Sequence, residues 1–191
     1  MSVAAHTDGR RQRTDQSRRR VALAMLDLAR AGDVAPSAEQ VADAAGLGRR
    51  TVFRLFTDME AVYREMHAVM VERISPMFEA PFQAKTWRAK VDELIERRAR
   101  MFEEMRPIKT AADAHRHRSA FLRDGHRRLT KLQRQTLAAV LPESVRADSE
   151  RLDALDLCFS FEAWRRLRQE QKLSVKDAAR VWRKLAQALL D

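Results

Sequence analysis

The residues of this chain that could do chemistry are mainly arginines, and two of them follow a pair of glycines. In VADAAGLGRRTVFRLF, from Val41 to Phe56, apolar residues at helical spacing stop at Gly46 and resume behind Arg49 and Arg50. Guanidinium groups at the front of a helix can donate hydrogen bonds to guanine edges or phosphates in the major groove. The stretch therefore predicts contact with DNA.

Other chemistry has little support in the residues present. No phosphate-binding glycine loop, nucleophile elbow or metal-binding helix motif occurs, so we expect no enzyme. Cys158 stands alone, which excludes an intramolecular disulfide or a cysteine-built zinc site. His115 and His117 are two apart on a predicted helix and point in different directions, so we expect neither a metal nor another cofactor.

Composition is typical of a helical globular protein. The 191 residues are 45% hydrophobic and 34% charged, with Gly 5 and Pro 5. No apolar run approaches the length of a membrane span and no apolar signal core is present, so we expect a cytoplasmic protein without a membrane partner. The net charge of +10 favours polyanionic partners, although it can also serve solubility.

Hydrophobic periodicity predicts helices and no strands, so the expected fold class is all-α. Residues 1–16 are polar and patternless and are interpreted as a mobile basic arm. Ser37 and Gln40 have the spacing of a capping box at the start of the second helix. Pro76 and Pro107 are expected to end the two long helices that contain them in their periodic patterns.

The segment around Gly46 has the residues that a helix-turn-helix unit requires. Ala42 is small where the two helices would cross, and Gly46 tolerates the positive φ of the turn. The residues available to bury the inner faces are Val41, Ala45, Leu47, Val52 and Leu55. A helix-turn-helix is therefore predicted near the N-terminus.

This segment resembles the TetR family of bacterial transcription regulators, from about Arg18 to Met66, and AGLGRRTVFRLFTDMEAV carries most of the resemblance. SFEAWRRLRQEQKLSVKDAA is similar to the C-terminal helix pair in part of that family. The resemblance implies a three-helix DNA-binding domain at residues 17–60 and a ligand-binding and dimerisation domain at residues 61–191. It assigns DNA contacts to Ser37, Gly48, Arg49, Arg50, Thr51, Phe53 and Arg54.

Three positions depart from the family pattern. Phe53 stands where the family usually has a tyrosine, and keeps its packing while losing the hydroxyl that bonds a phosphate. Met59 stands where a lysine is common, and Gly48 where a serine often begins the recognition helix. Arg49, Arg50 and Arg54 are expected to make the phosphate contacts instead.

The resemblance also implies a small-molecule pocket in the middle helices, and a ligand there that moves the helix beginning after Asp58. The candidate lining residues are Trp87, Met101, Phe102, Met105, Phe121 and Phe159. Methionine and aromatic side chains suit a flexible apolar site, but for any single one of them a place in the ordinary core is the more usual interpretation. Nine basic residues lie from Arg106 to Arg134. Seven of them could attract an anionic ligand or form a solvated face: Arg116, Arg118, Arg123, Arg127, Arg128, Lys131 and Arg134.

The predicted helix from Leu152 to Leu167 is apolar on two sides, so a second subunit could cover one of them. The resemblance implies a four-helix interface with the twin of this helix and of the last one. The candidate interface residues are Leu157, Phe161, Trp164, Ala178, Trp182, Leu185 and Leu189. A chain-internal core is the alternative.

Together these features predict a DNA-binding repressor. It would bind an inverted-repeat operator as a homodimer and be released by a small molecule. The alternative is an architectural DNA-binding protein without a ligand.

Overall fold

The structure, a computed structural model, describes residues 3–33 and 35–191, and in these ranges all regular structure is helical. This confirms the all-α fold class. The helices are α1 (Val3–Arg30), α2 (Ala38–Ala45), α3 (Arg49–Leu55), α4 (Met59–Glu79), α5 (Trp87–His115), α6 (Ala120–Val140), α7 (Glu143–Arg146), α8 (Ser149–Cys158), α9 (Phe161–Arg165) and α10 (Val175–Leu190). A 3-10 turn spans Arg116–Arg118, and a π-helical turn spans Arg166–Glu170. No helix in these ranges is long and apolar enough to cross a bilayer.

Contacts divide the chain into two compact units. The first unit comprises Met1–Ile74 and Pro107–Arg123, and the second comprises Ser75–Arg106 and Asp124–Asp191. The expected division, at residues 17–60 and 61–191, differs from this one. Most of α4 and the end of α5 group with the N-terminal helices, because their apolar faces are buried there.

Helix α1 begins at Val3, so residues 3–16 are helical rather than an irregular arm, and residues 1–2 lie outside the described residues. The second half of α1 buries Val21, Ala22 and Leu26, whereas residues 11–16 are exposed around the whole helix. Arginine and glutamine are good helix formers, so a helix nucleated by the packed half continues through them.

Two prolines lie inside helices that they were expected to end. Pro76 lies within α4 and Pro107 within α5, so both expected helix ends are wrong. Proline removes one backbone hydrogen bond and bends a helix, but packing on both sides can carry the helix through it. Met105 and Ala111, which flank Pro107, are both buried, so α5 is packed on each side of the proline.

The core of the second unit is a cluster of aromatic rings around Trp182. The ring centroids of Trp164, Phe159 and Phe102 lie 4.6, 5.6 and 5.9 Å from that of Trp182. Edge-on and tilted arrangements of this kind are favourable beyond their buried area. The cluster fills this part of the unit with side chains from α5, α9, α10 and the residue that follows α8.

The helix expected from Leu152 to Leu167 is broken in two. Helix α8 ends at Cys158, and Ser160 caps α9 by accepting a hydrogen bond from Ala163 N at 3.1 Å. The buried Arg98 guanidinium donates to Phe159 O, at the break, at 3.0 Å and also to Gln133 O on α6. Burial lowers the pKa of Arg98, and the nearby Asp156 carboxylate opposes that change.

Candidate nucleic-acid interface

The entry into α2 is fixed by reciprocal hydrogen bonds. Ser37 Oγ accepts from Gln40 N at 3.2 Å, and Gln40 Oε1 accepts from Ser37 N at 2.8 Å. This confirms the capping box read from the sequence. Gln40 Nε2 also donates to Asp33 Oδ2 at 2.9 Å, which ties the loop before α2 to the cap.

The turn between α2 and α3 depends on Gly46. Its backbone has φ 61° and ψ 40°, the left-handed conformation expected of it. Leu47 N donates to Ala42 O at 2.9 Å, and this bond closes the end of α2. Gly48 then precedes α3 in an extended conformation and supplies no side-chain cap. The chain therefore reverses within three residues and starts α3 at Arg49.

Helix α3 has one buried and one exposed face. Val52 and Leu55 are buried, as is Phe56 directly after the helix. Of the residues assigned to DNA, Ser37, Gly48, Arg49, Arg50 and Arg54 are exposed and Thr51 is half-buried. Phe53 is 63% exposed, so the expectation that it keeps the packing of a tyrosine is wrong. It stands one position beyond Val52, which turns it about 100° away from the buried face.

The arginines of α1 and α3 differ in what they contact. Arg19 pairs with Glu72 through hydrogen bonds of 2.7 and 3.0 Å, and those bonds lower the pKa of Glu72. Arg20 Nη2 donates to Gly46 O at 3.1 Å. For the three arginines of α3, no hydrogen bond or ion pair is found with any described residue. Their guanidinium groups are thus available to an external partner.

The side chains expected to line a ligand pocket do not surround a common cavity in the described part of the chain. Met101, Phe102, Met105 and Phe159 are buried, and two of them belong to the aromatic cluster. Met101 also lines a hollow of about 30 Å³, far below the size of known ligand sites. Trp87 is half-buried beneath the Arg88 guanidinium. Apolar residues at helical spacing mark a filled core here.

Phe121, the sixth candidate, belongs to the first unit rather than the second. Its ring packs edge-on against His67 at 5.4 Å and beneath the Arg64 guanidinium at 4.4 Å. The first unit contains a cavity of about 330 Å³ that none of the six expected residues lines. Its apolar wall includes Met25, Ala29, Met59, Met66 and Ala111. Met25, Met59 and Met66 are visible in the sequence, but nothing in their spacing shows that they line an open space.

Four of the expected dimer-interface residues are covered within their own chain. Phe161, Trp164, Ala178 and Trp182 are at most 1% exposed, so they cannot provide surface to a second subunit. The alternative of a chain-internal core is correct for them, because the break at Ser160 lets α9 turn its rings onto Trp182. Leu157 is 71% and Leu185 37% exposed, while Leu189 is half-buried.

The basic cluster between Arg106 and Arg134 contains several local ion pairs. Lys109 Nζ lies 2.8 Å from Asp113 Oδ1, and Arg127 pairs with Asp124. The His115 ring packs against Tyr63 with centroids 5.7 Å apart. No group of three or more metal-binding side chains occurs in the part of the chain that the structure describes. Most of the cluster is exposed or half-buried, and some of its side chains pair with nearby acids.

Known proteins give no further guide to these features. No protein-family model, no curated protein and no solved structure matches this chain.

Proposed function

We propose that this chain is a DNA-binding transcription regulator of the TetR kind. It acts as a repressor, binds an inverted-repeat operator as a homodimer, and is released by a small-molecule ligand. The observation that carries the proposal is the outer face of α3, where Arg49, Arg50 and Arg54 are exposed and without partners among the described residues. No other short helix described in the chain combines a tight glycine turn with such a face.

Unpaired arginines on a short, well-anchored helix suit the major groove. Val52 and Leu55 hold the inner face of α3 against its unit, so the outer face is presented in a fixed orientation. Arginine can bind guanine O6 and N7 with two hydrogen bonds, or bind a phosphate. Arg49 and Arg50 occupy the first turn of α3, the part of a recognition helix that enters the groove.

The departures from the family pattern shift the phosphate contacts to the arginines. Phe53 has no hydroxyl and Gly48 has no side chain. Met59 is 52% exposed but carries no charge. The exposed Phe53 ring can instead make an apolar contact, for example with a thymine methyl group. Arg50 and Arg54 then make the contacts to the DNA backbone.

A two-fold dimer would present two copies of α3. Its half-sites would lie about one helical turn apart, roughly 34–36 Å. Leu157 and Leu185 support a homodimer, because they are large apolar side chains left exposed near the C-terminus. The dimer would then use the exposed edges of α8 and α10 rather than their buried aromatic residues.

The alternative, an architectural DNA-binding protein without a ligand, is favoured by one observation. The second unit, where the ligand was expected, is filled by the aromatic cluster around Trp182. A filled core leaves that unit no room for an effector. The cavity in the first unit favours the ligand-responsive form, and a measured ligand effect on DNA binding separates the two.

The proposal is tested by selecting bound fragments from the genomic DNA of the source organism. We expect an approximate inverted repeat. Arg49→Ala should weaken binding by about 1–3 kcal/mol and flatten the preference at one base pair in each half-site. Arg100→Ala, an exposed arginine of α5, is the matched control. A uniform loss over all sequences would make Arg49 a phosphate contact, and absence of DNA binding would overturn the proposal.

A further inference from the structure

The cavity of the first unit lies among segments that flank the α2–α3 pair. Its lining comes from the end of α1, the loop before α2, the start of α4 and the end of α5 with the 3-10 turn that follows. Its volume of about 330 Å³ is at the lower end of the range of known small-molecule sites, about 300–1,000 Å³. The space is therefore suited to a small ligand.

Most of the cavity wall is apolar. Met25, Met66 and Ala111 are buried and form its inner part, while Met59 lies at the exposed rim. Thioether side chains adapt to the shape of an apolar molecule, because they have several rotatable bonds and a polarisable sulfur. This wall favours a ligand whose apolar part is a hydrocarbon chain or an aromatic ring, and it can accommodate different shapes of that part.

The two carboxylates at the cavity already have hydrogen-bond donors. Asp33 accepts from Ala35 N at 3.2 Å and from Gln40 Nε2 at 2.9 Å. Glu60 accepts from Ser119 Oγ at 2.8 Å and from Arg64 Nη2 at 2.6 Å. These bonds lower the pKa of Glu60, the one from Ser119 most strongly. Both carboxylates thus already accept hydrogen bonds from residues of the chain.

Three other polar side chains at the cavity are donors that remain unused. Tyr63, His115 and Arg118 all line it, and no hydrogen bond or ion pair of theirs is found among the described residues. Burial raises the pKa of Tyr63, which keeps its hydroxyl protonated and able to donate. A hydroxyl, an imidazole N–H and a guanidinium facing one space can all donate to one acceptor, and a charged acceptor makes the strongest bonds.

We propose that this cavity binds a small apolar molecule that carries a carboxylate. The carboxylate lies against Arg118, Tyr63 and His115, and the apolar body lies between the methionines of α1 and α4. The site is in the unit that contains α2 and α3, not in the aromatic core of the second unit.

The position of the cavity connects it to the proposed DNA-binding face. Asp33 lines the cavity and also bonds Gln40, which completes the cap of α2. Met59 and Glu60 line it on the other side and follow α3 after three residues. A ligand that moves either wall therefore changes how α3 is held. This step, unlike binding itself, rests on the proposed function.

Binding is tested on the full chain without DNA, by isothermal titration with decanoate. Decanol and decylammonium share its alkyl chain but are neutral and cationic, so they isolate the effect of the carboxylate. We expect decanoate to bind with 1:1 stoichiometry, about tenfold tighter than decanol, and decylammonium to bind most weakly. Equal binding of all three, tighter binding of decylammonium, or no binding of decanoate would overturn the site.

Two variants locate the site. Arg118→Gln, at an exposed position, should remove the preference for decanoate over decanol, whereas Arg100→Gln on α5 should leave it intact. Ala111→Met adds volume inside the cavity and should weaken both ligands, with thermal unfolding checked in parallel. A preference unchanged in Arg118→Gln, or binding unchanged in Ala111→Met, would place decanoate elsewhere and overturn the site.

Coupling is tested by titrating the selected DNA with and without saturating decanoate. We expect DNA affinity to fall at least about fivefold in the wild type, and to fall less in Arg118→Gln at the same decanoate concentration, because that variant binds decanoate more weakly. The two failures differ. A chain that binds decanoate but no DNA disproves the proposed function alone, and a chain that binds DNA but not decanoate disproves the site alone. Unchanged DNA affinity with decanoate bound would overturn the coupling.

Discussion

Arg20 Nη2 donates a hydrogen bond to the carbonyl oxygen of Gly46 at 3.1 Å, and this contact ties α1 to the turn between α2 and α3. The same nitrogen would lie 2.8 Å from a Cβ added at Gly46, whose φ is already in the left-handed region. The turn therefore needs glycine for its backbone conformation, whereas the Arg20 guanidinium, at the end of a flexible side chain, could move aside from an added Cβ. Gly46 thus contributes to the orientation of α3 together with the buried Val52 and Leu55.

Gly46→Ala should lower the free energy of unfolding by about 1–2 kcal/mol, because an alanine is strained at positive φ. Urea denaturation of the full chain measures the change. Gly48→Ala is the control, since Gly48 has φ −69° and nothing within 4 Å of an added Cβ. It should change stability by less than about 0.5 kcal/mol. Equal losses in the two variants would contradict the role of the turn.

In the second unit, Glu103 connects α5 to α9 and to the π-helical turn. It accepts from Trp164 Nε1 at 2.8 Å and from Arg168 Nε at 2.8 Å. Burial alone raises the pKa of Glu103, but these hydrogen bonds outweigh it and bring the pKa below the ordinary 4.5. The folded state therefore favours the charged carboxylate.

A depressed pKa in the folded state stabilises the chain above the unfolded pKa, and that contribution is lost as pH falls through the folded pKa. Glu103→Gln should lower the free energy of unfolding at neutral pH by about 1–3 kcal/mol. The loss relative to wild type should shrink as pH falls below 4.5, the ordinary value. Denaturation measured from neutral to acidic pH checks both effects.

Glu96→Gln is the matched control, because Glu96 pairs with Arg183 on α10 while 60% exposed. Exposed pairs of this kind contribute about 1 kcal/mol or less. If both variants lowered the free energy of unfolding equally at neutral pH, the partly buried hydrogen bonds of Glu103 would contribute no more than an exposed ion pair.

Features set by neighbouring residues were predictable from the sequence. The Ser37–Gln40 capping box and the left-handed Gly46 each depend on atoms within a few positions, so residue type and spacing are enough to reveal them. The two-faced character of α3 follows in the same way from Val52 and Leu55. The all-α fold class is also a sum of such local preferences.

Features set by distant residues were not predictable. The break after Cys158 is held by Arg98, 61 positions from the carbonyl it bonds at Phe159. Periodicity alone therefore showed one continuous helix there. Phe102 suited either a pocket or a core, and Trp182 either a dimer interface or a core, because apolarity does not tell what lies beside a side chain. The cavity among α1, α4 and α5 is a space that the surrounding side chains do not fill, and the spacing of residues along the sequence does not reveal it.

The exposed leucines of the C-terminal helices give a test of the homodimer. Leu157→Glu and Leu185→Glu place charges at positions that are 71% and 37% exposed, so the fold should tolerate them. If these side chains meet a second subunit, desolvating the charge should shift the chain toward monomer. Sedimentation over a range of concentrations measures the shift, with circular dichroism to check that the helices persist.

Leu132→Glu is the control, because Leu132 is 40% exposed on α6, outside the expected interface. It should leave the dimer unchanged. A wild-type chain that sediments as a monomer would remove the homodimer from the proposal. Dimers that survive both test substitutions would place the interface on another surface.

In the first half of α1, Arg11 and Arg13 are exposed, and no residue between 11 and 16 is buried. A helix polar on all sides gains little from packing, so a positively charged one beside a DNA-reading unit suits phosphate contacts. If the proposed function is correct, the double variant Arg11→Gln, Arg13→Gln should weaken binding to all DNA sequences by the same factor. Each lost phosphate contact should reduce the slope of log affinity against log salt by about 0.9.

Titrations of the selected DNA at several salt concentrations measure that slope, and Arg100→Gln in the second unit serves as the control. The double variant should also keep its preference for operator over unrelated DNA, because phosphate contacts carry no sequence information. An unchanged slope would mean that this half of α1 does not touch DNA. A loss confined to the operator would instead mean that these arginines read bases.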